Sequence, residues 1–116
     1  MPTALETREE RRIFERFSAR FPVKFKDTRE DYGAEVFLRD ASAQGVRILT
    51  KERFFLDDQI SLEVGLPDGG EPMVLSGRVV WVKLINLSLW ELGVQFQQVN
   101  LLRMQRLFKL AGNIAL

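Results

Sequence analysis

Two clusters of side chains in this 116-residue sequence are of types that could do chemistry. The first is rich in arginine: Arg11, Arg12 and Arg16, followed by Arg20, in a stretch that also holds Glu9, Glu10 and Glu15. A guanidinium is a planar fork that can clamp the O6/N7 edge of guanine or the oxygens of a phosphate, and its flat face stacks on a purine. An Arg-x-x-x-Arg spacing alone is equally what a solvated charged arm presents, its cations neutralised by neighbouring glutamates. The second cluster is Asp40-Ala41-Ser42-Ala43-Gln44-Gly45. Alternate side chains of a strand share a face, so the Asp40 carboxylate and the Ser42 hydroxyl would point the same way. An ionised carboxylate accepts from the N1–H and N2–H groups of guanine, and a serine beside it donates or accepts. Gly45 permits a positive φ or a close backbone approach. Asp, Ser and Gly are also ordinary turn residues, so this cluster alone is as readily structural as functional.

Other chemistries are excluded by what is missing. There is no histidine and no cysteine, which removes the commonest general base, the commonest metal ligands, thiolate nucleophiles and disulfides. No Ser-His-Asp or Cys-His arrangement can be assembled. The carboxylate pair Asp57-Asp58 borders a predicted strand start and reads as turn charge, so no enzyme is expected. With 17 Lys and Arg against 16 Asp and Glu, the net charge of +1 argues against a broad face for long nucleic acid. No apolar run is long enough to span a bilayer, and residues 1–10 are charged and lack an apolar signal core. A cytoplasmic protein with no membrane insertion is expected.

The elements that must position the two clusters fall into three zones. Residues 1–20 are polar and densely charged, with too little apolar surface to bury alone, and are expected to form a flexible arm carrying the arginines. Residues 21–98 alternate with strand period: Phe21, Val23 and Phe25; Val36 and Leu38; Ile60, Leu62, Val64 and Leu66; Trp90, Leu92, Val94 and Phe96. The longer run from Leu75 to Leu84 is apolar on both faces at Val79-Val80-Trp81-Val82. Simple alternation places Leu75, Gly77, Val79 and Trp81 on one face, which favours packing for Trp81, as for Trp90. Turn signals at Asp31-Tyr32-Gly33, Pro67–Pro72 and Asn86-Leu87-Ser88 separate the strands, as in an antiparallel barrel. In residues 99–112, Leu101, Met104, Phe108 and Ala111 recur at helical spacing, with Asn100 to cap the start and Gly112 to end it. This predicts one amphipathic helix packed across an open end of the barrel.

Order and spacing join the clusters. Arg12-x-x-x-Arg16, an intervening segment, then Asp40-x-Ser42-x-x-Gly45 resembles the bipartite signature of PilZ domains. Phe21-Pro22-Val23-Lys24-Phe25 resembles the family's first strand, and Val46-Arg47-Ile48-Leu49 the strand after the glycine. Gly77-Arg78-Val79-Val80-Trp81 is similar to its late central strand, and Leu92-Gly93-Val94-Gln95-Phe96 to its closing strand. The resemblance implies an all-β, six-stranded antiparallel split barrel with a C-terminal α-helix. It also implies binding of the bacterial second messenger cyclic di-GMP, often as a stacked dimer, and signalling through a downstream partner protein. Arg12 and Arg16 would grip guanine edges and phosphates from the arm, with Arg11 as a helper. Asp40 and Ser42 would meet a guanine edge, Gly45 would admit the backbone, and Trp81 would lie near the ligand. Three rivals stand beside this reading, one of them a minimal carboxylate hydrolase, for which the sequence offers no visible cleft. A PilZ-like adaptor that binds only protein would be expected to carry a broken signature. A single-strand nucleic-acid barrel would need stacking aromatics among basic residues; Phe37, Phe54 and Phe55 are candidates, but the charge around them is mixed.

Overall fold

The structure, a computed structural model, describes residues 8–112, with side chains from residue 11 onward. Seven strands form one antiparallel sheet: β1 (Phe17–Ser18), β2 (Val23–Phe25), β3 (Val36–Ser42), β4 (Gly45–Thr50), β5 (Gln59–Val64), β6 (Met73–Asn86) and β7 (Leu89–Phe96). Helices α1 (Arg8–Phe14) and α2 (Leu101–Leu110) flank them. The strand order is β1-β3-β4-β7-β6-β5-β2, and the sheet curls until Pro22, just before β2, bridges Phe37 of β3. One strand more than expected is present, because the residues of β1 add to the edge of β3.

The alternation read from the sequence is what the sheet buries. Val36 and Leu38, Ile60, Leu62 and Val64, and Leu92 and Val94 all face the core, while Phe37, Ser61 and Glu63 between them are more exposed. Helix α2 closes one end with Met104, Leu107 and Phe108. Its start is capped as expected, Asn100 Oδ1 accepting from the Arg103 amide at 3.0 Å, and Gly112 follows it at φ +80°. Apolar burial on this scale dominates the stability of a domain this small.

The N-terminal zone holds more apolar anchorage than its composition suggests. Ile13, Phe17 and Ala19 are buried in the common core, and the Phe17 ring packs edge-on against Phe108 with centroids 5.1 Å apart. Ile13, Phe17 and Ala19 are few and set among charges, and it is packing against α2 and β3 that turns them into anchors. Residues 1–7 of the expected arm lie outside the described residues.

Two β-bulges correct the simple alternation. The register of β3 on β4 shifts between Leu38 and Asp40, and that of β6 on β7 between Val79 and Trp81. Each extra residue reverses the parity of the strand beyond it. Without the first, Asp40 and Ser42 would share the core face of Val36 and Leu38. Without the second, Trp81 would share the face of Val79, as the sequence suggested; instead it is 36% exposed while Val79 is fully buried.

Candidate functional site

The two bulges place the candidate residues in rows across the outer face of the sheet. One row runs Ser18, Asp40, Arg47, Gly93, Trp81 across β1, β3, β4, β7 and β6. The next runs Ser42, Gly45, Gln95, Arg78. Ser42 and Gly45 bracket the two-residue turn Ala43-Gln44 that joins β3 to β4. The Ser42 hydroxyl accepts from the Gln44 amide at 3.2 Å, and the Ala43 amide donates to the Ile13 carbonyl at the end of α1. The arginine-bearing segment is therefore tied to the Asp-Ser-Gly turn through the backbone.

Arg16 is the residue that joins the halves. Its Nη1 donates to Asp40 Oδ1 at 2.5 Å, and Arg47, directly across the β3–β4 ladder, donates to Asp40 Oδ2. The Asp40 side chain is only 10% exposed, whereas those of Arg16 and Arg47 are 48% and 34% exposed. A carboxylate so placed, with a charge-assisted donor on each oxygen, acts as a fixed post that aims two guanidinium groups. Asp40 thus accepts one donor on each oxygen from arginines of its own chain, and each oxygen keeps a further lone pair for another donor.

Beside Arg16 opens a groove of about 250 Å³, lined by Arg16, Ser42, Gly45, Trp81, Gly93 and Gln95 among others. Gly93 leaves the room that Trp81 occupies: a methyl group added there would overlap the indole, with Cδ1 at 2.6 Å and Nε1 and Cε2 also in collision. The indole lies against the bare backbone of Gly93 in a groove that Arg16 also lines, an arrangement suited to holding a flat aromatic ring. Of the two reasons expected for a glycine at position 45, the structure shows the close backbone approach. It is not among the positive-φ residues, and what approaches it closely is strand β7, Gln95 Cα lying 3.2 Å from where a Cβ would stand.

Of the seven residues picked from the sequence, Arg16, Ser42, Gly45 and Trp81 share this groove, and Asp40 supports it from beneath Arg16. Arg12 and Arg11 are exposed on α1 and line neither this groove nor the pocket on the other side of Arg16. Sequence reading missed Arg47 and Gly93. Their signal is only cross-strand register, Asp40 opposite Arg47 and Trp81 opposite Gly93, which is invisible before strands are paired. The Asp57-Asp58 pair is structural: Asp57 sits at φ +71° and pairs with Arg78 at 2.7 Å, while Asp58 caps the turn through the Phe55 amide. Trp90 is half-buried against the core, with the Arg53 guanidinium 5.2 Å from its ring centre. Among the described residues no cluster of His, Cys, Asp or Glu could hold a metal ion, and no helix is long and apolar enough to cross a membrane.

Comparison with known proteins places this geometry in context. A family model described as PilZ domain matches residues 8–111. The chain resembles the solved structure of the Bacillus subtilis inhibitor of motility, MotI/DgrA, with a TM-score of 0.58 at 14% identity. That match covers 84% of this chain and 48% of the other, so the chain spans about half the length of that relative. No curated protein matches the sequence.

Proposed function

Since the chain belongs to the PilZ domain family, we propose that it is a cyclic di-GMP receptor, a binding module without catalytic activity that acts in the cytoplasm and relays ligand occupancy to a partner protein. The observation that carries this reading is the meeting of Arg16, Ser42, Gly45 and Trp81 in one groove, with Asp40 aiming Arg16 into it. A guanine seated there would stack on the indole and present its O6/N7 edge to the Arg16 fork, with the Ser42 hydroxyl beside it. Arg12 and Arg11, exposed on α1, are free to close over a second base, so a stacked dimer of the nucleotide fits the division between arm and sheet.

Binding is expected to be a contest for Arg16. Arg16 is partnered by Asp40, and a nucleotide must draw the guanidinium partly away or share it. The segment that ends at Arg16 would re-seat as this happens, changing the surface offered to a partner; ligand-driven rearrangement of a segment is a recognised form of switch.

Calorimetry on the intact chain and on Arg16→Ala and Asp40→Ala tests the reading. Arg16→Ala removes a charged partner of the nucleotide and should cost about 1.5–3 kcal/mol, more than tenfold in affinity, and Asp40→Ala, which leaves Arg16 unaimed, should weaken binding less. No heat from the intact chain at high nucleotide concentration would refute it. A second reading, an adaptor that binds protein and no nucleotide, draws support from the tip of the β6–β7 hairpin, where Leu84, Ile85 and Leu87 are 53%, 43% and 100% exposed. The same titration separates the two.

A further inference from the structure

Arg16 has two sides, and the groove occupies only one. On the other side lies a pocket of about 340 Å³ whose walls include Arg16, Arg20, Arg39 and Arg47, with Asp40 at the base. Four guanidinium groups face one carboxylate there, an excess of three positive charges in a chain whose total is +1.

Each member of this cluster is placed by a separate constraint of the fold. The bulge in β3 turns Arg39 and Asp40 outward together. Arg47 stands opposite Asp40 in the ladder. Arg20 is held near Arg39 because the Ala19 amide donates to the Arg39 carbonyl at 3.2 Å. Asp40 accounts for one donor from Arg16 and one from Arg47. The side chains of Arg20 and Arg39 make no hydrogen bond or ion pair among the described residues. Arg47 Nε is buried without an acceptor among the described residues, a condition that native proteins rarely leave unrelieved. Converging donors that exceed their acceptors call for an anion with several oxygens, and the use of arginine at all four positions matches planar two-point recognition of phosphate.

We propose that this pocket is a phosphate subsite of the ligand site, holding a phosphodiester of the nucleotide whose base Arg16 meets in the groove, with Arg20, Arg39 and Arg47 as its contacts. The inference rests on the cyclic di-GMP reading. Continuity through Arg16, which lines both cavities, favours the nucleotide's own phosphate over a free one.

The test uses the full chain and the single variants R20A and R39A, whose side chains make no hydrogen bond or ion pair among the described residues. Each is titrated with cyclic di-GMP and, separately, with inorganic pyrophosphate, and the Arg47 Nε–H resonance is followed by NMR. The expected result is a loss of about tenfold or more in cyclic di-GMP affinity for each variant, with unchanged thermal unfolding and a shift of the Arg47 Nε–H signal on saturation. Wild-type affinity in both variants together with an unmoved Arg47 signal overturns the subsite and leaves the nucleotide reading standing. If the intact chain binds pyrophosphate but not cyclic di-GMP, and R39A abolishes that binding, the subsite stands and the nucleotide reading falls. Binding of neither ligand overturns both.

Discussion

Replacing Gly93 by alanine puts the proposed stacking platform to a direct test. The added methyl would stand 2.6 Å from Trp81 Cδ1 and closer still to Nε1, where carbon atoms ordinarily rest about 3.5–4.0 Å apart. The indole must therefore recede by about 1 Å or more, and as a half-exposed side chain it can rotate away without moving the sheet. Gly93 is not in a positive-φ conformation, so the backbone accepts the change. The stability effect should be small, because the gain of about 0.4–1 kcal/mol from restricting the unfolded chain opposes the lost packing of the ring. The ligand effect should be large. Stacking of one base on an aromatic side chain is worth about 1–3 kcal/mol, so cyclic di-GMP affinity should fall about 5- to 150-fold. Calorimetry reads the affinity. Indole emission reads the ring position without ligand, in a Trp90→Phe background that leaves Trp81 as the only tryptophan of the two. Unchanged emission would refute the packing argument; shifted emission with wild-type affinity would refute the stacking role.

Phe108→Ala removes a buried ring from the joint between α2 and Phe17, and should cost about 3–5 kcal/mol in denaturant unfolding. Because that joint also anchors residues 13–19, amide exchange there should rise before global unfolding. The carboxyl of Asp68 is lowered to about 2, first by its hydrogen bonds from Arg106, which grips both oxygens at 2.8 and 2.9 Å. A depressed acid pKa stabilises the fold above its unfolded value and loses that contribution as pH falls toward 2, so the clip between α2 and the β5–β6 loop should release between about pH 4 and 2. A carboxyl titration by NMR checks this, and Arg106→Gln should raise Asp68 toward the ordinary carboxylate range, the Gly70 amide keeping part of the shift. Hydrogen exchange of residues 8–20 should slow on saturation with cyclic di-GMP; unchanged exchange at full occupancy would count against a re-seated arm.

Much of the fold was legible in the chain because its strands are buried on one face. Ile60, Leu62 and Val64 must alternate with Ser61 and Glu63 to bury that face, and the pattern survives in the sequence. Asn100 and Gly112 marked the ends of α2 for equally local reasons. The candidate site was half legible. Its side chains are specified by type and spacing, so Arg16, Asp40, Ser42 and Gly45 could be picked out in one dimension. Arg47 and Gly93 could not, since what matters is which residue each one faces across a ladder.

The sequence by itself determined the sheet-rich class, the closing helix, the absence of histidine and cysteine chemistry, and the two clusters that carry the family signature. Only the tertiary structure decided which way those clusters point. A strand's side chains alternate with a period of two, so one inserted residue sends everything beyond it to the opposite face. The bulges at Arg39 and Val80 do this in β3 and β6, turning Asp40, Ser42 and Trp81 away from the core face and onto one surface. A bulge is set by how neighbouring strands pair and curve, and that information resides in the whole sheet.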